Sequence, residues 1–244
     1  QRLSPLPSPQ APPRPAAAPA SAPRLPFDGR ALARRTGRYL LYCLLGYGVL
    51  WAGSVGGMLA LSGWARHDAS GGRHTEAGIN HFLRVDGKVW RGSAPTEAGY
   101  RELARRGIRT VVDLRAEKLP PADLARPAQA GLASVRLPVR DGQTPTRAQV
   151  DAFLAVVRDS PGPVYVHCGA GVGRTGSMTA AYLVRTGQAT SRQAALRTLA
   201  VGPPSIEQVY YVLHVSPGDS DQPPMLVRGV SRLLDAPRRI RASL

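Results

Sequence analysis

Cysteine is almost missing from this 244-residue chain, and its two copies stand in unlike settings. Cys43 lies inside an apolar run and Cys168 far away in a Gly-rich loop, so an intrachain disulfide is not expected. Histidine is sparse as well: His67, His74 and His81 follow no metal-ligand spacing, and neither a metal nor any other cofactor is implied. Aromatic residues make up only 6% of the chain and do not interleave with a basic stripe, so no platform for single-stranded nucleic acid is expected. Acidic residues number 16 against 32 basic ones, and the resulting charge of +16 is carried almost wholly by arginine. A guanidinium fork matches phosphate oxygens better than an ammonium does, which favours phosphate-bearing or acidic partners. The Ala, Gly and Pro richness gives many individual arginines a compositional explanation instead.

Residues 1–38 begin with a Pro-, Ala- and Ser-rich arm that cannot bury enough apolar surface to offset its ordering entropy, and disorder is expected there. Arg30, Arg34, Arg35 and Arg38 then form a basic cluster. An uncharged stretch follows over 39–64, longer than the roughly 20 residues needed to cross a hydrocarbon core, and it reads as one transmembrane helix. Tyr39, Tyr42 and Trp64 near its ends suit the headgroup region. A buried core helix or a cleaved signal sequence is the alternative. The arginines before the run outnumber Arg66 and Arg73 after it, which places the N-terminus in the cytoplasm and the main domain across the membrane. Residues 65–78 read as a linker.

From about His81 the pattern turns globular. HFLRV and KVWRG suggest a hairpin turning at Asp86-Gly87. Thr96 opens a helical run that ends at Arg106-Gly107, and IRTVVDL, ASVRLPV and PVYVH read as strands. TRAQVDAFLAVVRD has apolar positions at helical spacing. Three more helical patterns follow: GSMTAAYLVRTG, SRQAALRTLAVG and SIEQVYYVLHV. The prediction is an α/β domain over 79–215, with a central, mainly parallel sheet flanked by helices. The tail over 216–244 is expected to hold one short helix, Met225 to Leu234.

The chemistry is concentrated in His167-Cys168-Gly169-Ala170-Gly171-Val172-Gly173-Arg174-Thr175-Gly176, which leaves a buried strand and opens a helix. A helix start offers free N–H groups and the positive end of a dipole, and glycines let backbone wrap an oxyanion closely. Five residues separate Cys168 from Arg174, so a curled loop can set a sulfur beneath phosphorus while the guanidinium grips outer oxygens. Inward amides and a nearby cation favour the thiolate of a cysteine so placed.

This decapeptide resembles the His-Cys-x5-Arg-Ser/Thr signature of the protein tyrosine phosphatase superfamily. The likeness departs from the commonest form mainly at Gly169, where serine is usual. It extends over roughly 79–215: VWRGSAPTEAGYRELARRGIRTVVDLR looks like the opening of compact dual-specificity phosphatases, and LPVRDGQTP like their general-acid loop. The resemblance implies Cys168 as nucleophile, Arg174 with the amides of Gly169, Ala170, Gly171, Val172 and Gly173 as phosphate holders, and Asp141 as acid. It also implies that Thr175 supports the thiolate and that His167 holds the loop. Asp113 and Asp123 are alternative acids, and Gln208 is read as a helix cap with Ser205 before any water-positioning role. The implied activity is hydrolysis of phosphate monoesters on proteins, phosphotyrosine with phosphoserine or phosphothreonine. Phosphoinositide hydrolysis and an inactive, membrane-tethered phosphate-binding module are the alternatives.

Overall fold

The computed structural model describes residues 29–68 and 75–237. The Pro-rich start of the arm and positions 69–74 of the linker lie outside the described residues, so the disorder expected of the arm is not addressed. Two units divide the chain at Leu45 and Gly46. Of the first, the described part is the start of α1, Gly29–Asp68. This helix is longer than the apolar run at both ends: the arginine cluster belongs to it, and it continues four residues into the expected linker. Its segment Ala33–His67 is long and apolar enough to cross a membrane.

In the second unit the sheet has five strands in the order β1-β2-β5-β3-β4. β1 (Leu83–Arg84) turns back into β2 (Val89–Gly92), the antiparallel pair. Asp86 closes that hairpin, its carboxylate accepting from the N–H groups of Lys88 and Val89 at 2.8 and 2.7 Å. β5 (Val164–His167), β3 (Thr110–Arg115) and β4 (Ala133–Val139) add in parallel. Alternation along the strands sends side chains to two cores. Val112, Leu114, Val164 and Val166 face one cluster, and Val111 and Tyr165 face the other.

The second cluster is covered by α2 (Glu97–Arg105), which Thr96 caps through the Gly99 N–H as the sequence predicts. The first is covered by α4 (Arg147–Asp159), α5 (Gly173–Arg185), α6 (Ser191–Val201) and α7 (Ile206–His214). Thr146, Thr190 and Ser205 each make a capping box, so each helix start is fixed by its own sequence. α3 (Pro121–Gln129) was not foreseen; it starts on Pro121, and Pro127 stands inside it. α8 spans Met225–Leu234, at the bounds expected.

This topology positions the site. Gly92, His167 and Asp113 are register partners at the carboxyl ends of the parallel strands, and the loop of interest leaves from there.

Candidate active site

Cys168 follows the last residue of β5 and is 3% exposed, and Arg174 lies in the first turn of α5 and is 4% exposed. Unlike the starts of α2, α4, α6 and α7, that of α5 has no side-chain cap, and its N-cap position is Val172. The orphan N–H groups of this helix are therefore not taken by a capping oxygen, as an anion cradle requires. Close packing leaves the loop no freedom. Gly171 has φ +74, and a Cβ there would come within 2.3 Å of the Gly92 backbone carbon. At Gly173 a Cβ would meet Gln208 Oε1 at 2.3 Å. Gly169 is different: the nearest atom to an added Cβ is Arg174 Nη2 at 3.7 Å, so a serine there would fit and the glycine costs the loop nothing in shape.

The Arg174 guanidinium donates from Nη1 to Glu117 Oε2 at 2.9 Å and to the Val139 carbonyl at 3.1 Å, while Nη2 stands 3.4 Å from Asp141 Oδ1. Burial alone would lower its pKa, but the Glu117 hydrogen bond and the charges of Cys168 and Asp141 outweigh that and raise it. Burial likewise pushes the Glu117 carboxyl up, but the Arg174 hydrogen bond, a backbone hydrogen bond and the Arg174 charge together outweigh it, so this acid is held below its ordinary range. The end of β4, the end of β3 and the start of α5 thus bring Asp141, Glu117 and Arg174 together. Asp113 and Asp123, the alternative acids, are turned elsewhere: Asp113 is buried in a pair with Arg115 at 2.8 Å, and Asp123 pairs with Arg126 at 2.9 Å.

His167 is wholly buried, stacked on Tyr165 with ring centroids 5.7 Å apart. Its Nδ1 is 3.0 Å from the Cys168 carbonyl and must donate to it, which leaves Nε2 an acceptor without a partner among the described residues. Burial drives its pKa down to about 4, so the ring is neutral and braces the loop start as an uncharged group. The Thr175 hydroxyl is also fully buried and has no hydrogen-bond partner among the described residues. Gln208 does what its capping box predicts, accepting from the Ser205 N–H at 2.9 Å. Its amide also reaches the acid loop, donating to the Gln143 carbonyl at 3.0 Å.

Two residues of the site were not singled out from the sequence. Glu117 lies in the loop after β3, where no local pattern marks it. Arg91 on β2 is 4% exposed and donates to the carbonyls of Gly171 at 2.7 Å and Val172 at 3.3 Å, and to the Thr179 hydroxyl at 3.2 Å. Burial lowers its pKa to about 10, so it stays a cation, and its charge bears on Cys168. The available signal was a lone arginine in a strand otherwise inward-facing.

Residues 73–214 match the family model for the DSP-PTPase phosphatase fused to NAD+ kinase. The chain belongs to this family. Cys168, Arg174, Asp141, Glu117 and Arg91 all fall within the matched segment of this DSP-PTPase. Among its relatives, NAD kinase 2, chloroplastic, of Arabidopsis thaliana is 34% identical over 95 residues, covering 36% of this chain and 10% of that protein. The human dual specificity protein phosphatase CDC14C is 41% identical over 63 residues, 26% of this chain and 14% of the other. The chain therefore spans about a tenth of the first of these relatives and a seventh of the second. Among solved structures, Tk-PTP in its active form superposes with a TM-score of 0.48 at 25% identity, covering 56% of this chain and 96% of that one.

Proposed function

We propose that this chain hydrolyses phosphate monoesters on proteins, phosphotyrosine and with it phosphoserine or phosphothreonine, through a phosphocysteine formed on Cys168. The observation that carries the reading is the meeting of Asp141 with Arg174 at 3.4 Å, Arg174 being the arginine that closes the loop begun by Cys168. A cation that can hold two phosphate oxygens and a carboxylate that can protonate a leaving oxygen then flank one nucleophile. The Cys168 sulfur attacks phosphorus and the P–O bond to the leaving group breaks, with Asp141 giving its proton to the departing oxygen. Water, deprotonated by the same carboxylate, then cleaves the S–P bond and releases phosphate. Arg174 and the amides from Gly169 to Gly173 hold the equatorial oxygens throughout. Arg91 and neutral His167 position the loop, and Glu117 orients Arg174.

Protein phosphoesters come first because no lysine stands between Gly169 and Gly173 to meet the additional phosphates of an inositol ring. α1 supports a membrane tether, with the N-terminus on the cytoplasmic side. The test is release of phosphate by the full chain in detergent, from an aryl phosphate, phosphopeptides and phosphoinositides. Cys168→Ser should abolish all release, and Asp141→Asn should slow a poor leaving group far more than an aryl phosphate. Turnover by the serine variant would refute the nucleophile, and faster release from phosphoinositides than from phosphopeptides would refute the substrate class.

A further inference from the structure

α8 is turned the wrong way round for a helix facing water. Leu226, Val230 and Leu233 recur at i, i+4 and i+7 and form one stripe, with Met225 beside it. That stripe points outward, with exposures of 79, 46 and 62%, and Met225 at 86%. The inward side carries Ser231, with Arg228 and Arg232 half-buried beside Val227 and Leu234. Ser231 is 1% exposed, its hydroxyl accepting from the Glu207 N–H at 3.0 Å, and Arg232 stands 3.4 Å from the buried Glu207 carboxylate. The helix cannot simply roll over to hide its apolar face, because these contacts fix its orientation. The segment before it is pinned too, with the Gln222 amide donating to the Pro145 carbonyl at 2.7 Å and the Thr144 carbonyl at 3.2 Å.

Beside this stripe runs the later part of α1. The Tyr47 hydroxyl donates to the Leu233 carbonyl at 2.8 Å, and Trp51, Val55 and Leu59 remain 39, 40 and 51% exposed. Between the two helices opens a cavity of about 420 Å³, lined by Trp51, Val55, Leu59, Pro203, Ile206 and Leu234 among others. Two exposed apolar surfaces, from elements far apart in sequence, thus join into one.

We infer that the outward face of α8 is covered by lipid acyl chains of the bilayer that holds α1, so that the catalytic body is seated in the membrane and not merely tethered to it. This rests on the reading of α1 as a membrane span. Burial of the stripe supplies the driving force, at about 25 cal/mol for each Å² removed from water. Charge contributes little, because Arg228 and Arg232 face Glu207 and the body. Docking is therefore expected to be indifferent to anionic lipid and to salt, unlike that of a basic amphipathic helix.

The experiment uses the full chain with Cys168→Ser, reconstituted in vesicles of neutral phosphatidylcholine containing doxyl-labelled acyl chains. A fluorophore is attached to native Cys43, or, with Cys43→Ser added, to Leu226→Cys, Val230→Cys or the control Arg101→Cys on α2. All three introduced cysteines replace exposed side chains, so the fold is preserved. Quenching at 226 and 230 comparable to that at Cys43, unchanged by salt, with none at 101, is the expected result. Probes at 226 and 230 that stay as bright as the one at 101 overturn the inference, and so does cross-linking of position 226 to its counterpart in a second copy. An unquenched Cys43 overturns the span and with it the inference, whereas a quenched Cys43 with bright probes at 226 and 230 overturns the inference alone.

Discussion

The two loops that meet at Arg174 are held by opposite means. The loop from Cys168 to Gly173 is fixed from within: its carbonyls are bound by the buried Arg91, and Gly171 lies against the Gly92 backbone with no room for a single carbon. The loop from Asp141 to Pro145 is fixed from outside, by side chains of α7 and the tail. Ser205 donates to the Gly142 carbonyl at 2.7 Å, Gln208 to Gln143, and Gln222 to Thr144 and Pro145. Backbone packing tolerates almost no displacement, whereas a set of side-chain hydrogen bonds can be lost one at a time. Under the proposed function, a part that cradles phosphate benefits from the first arrangement, and one that carries a proton donor over a bound substrate from the second.

That contrast makes its strongest prediction at Gly171. Gly171→Ala must push the loop off Gly92, and a displacement near 1 Å should cost on the order of 100-fold in turnover, with roughly 1 kcal/mol of left-handed backbone strain added. Steady-state hydrolysis of an aryl phosphate reads it, and an alanine variant with normal turnover would break the comparison. His167 comes next. Its folded pKa of about 4 lies below the ordinary 6.5, so between those values the unfolded chain binds a proton that the folded one does not. Stability therefore falls as pH drops from about 6.5 to 4, by roughly 3 kcal/mol, and is level above that window. Chemical denaturation at stepped pH should show this slope flattened in His167→Asn.

Arg91→Met leaves two loop carbonyls without their donor and should cost about 2 kcal/mol in stability, with loss of phosphate or vanadate affinity. Titration calorimetry checks it, and Arg91→Lys should restore part of the affinity, because a cation that still reaches one carbonyl replaces some of the contact. The smallest effect belongs to the outer supports: Ser205→Ala removes one hydroxyl bond and the cap of α7, for about 1 kcal/mol. Vanadate affinity should be unchanged there, with turnover of poor leaving groups falling several-fold. Equal loss of both would mean that the two loops are not independently held.

Much of this was legible in the residues. β4 over ASVRLPV, α8 over Met225 to Leu234 and the Ser205–Gln208 capping box follow from local pattern, because caps and apolar periodicity act within a few residues. α3 is poorly encoded by local pattern, since prolines at 120, 121 and 127 disfavour a helix interior, although Pro121 at a helix start loses no hydrogen bond. The site divides in the same way. Cys168, Arg174 and the glycines announce themselves because the whole cradle is one continuous stretch of chain.

The sequence by itself determined where the chemistry sits, since a strand, a curled loop and a helix start need only neighbours to form. Tertiary structure alone decided which distant charges serve it. Arg91 reaches the loop across 80 positions and Glu117 reaches Arg174 across 57, and no local pattern encodes such contacts. It also decided that α8 should face its Ser231 side inward, because only the folded body supplies the buried Glu207 that turns it.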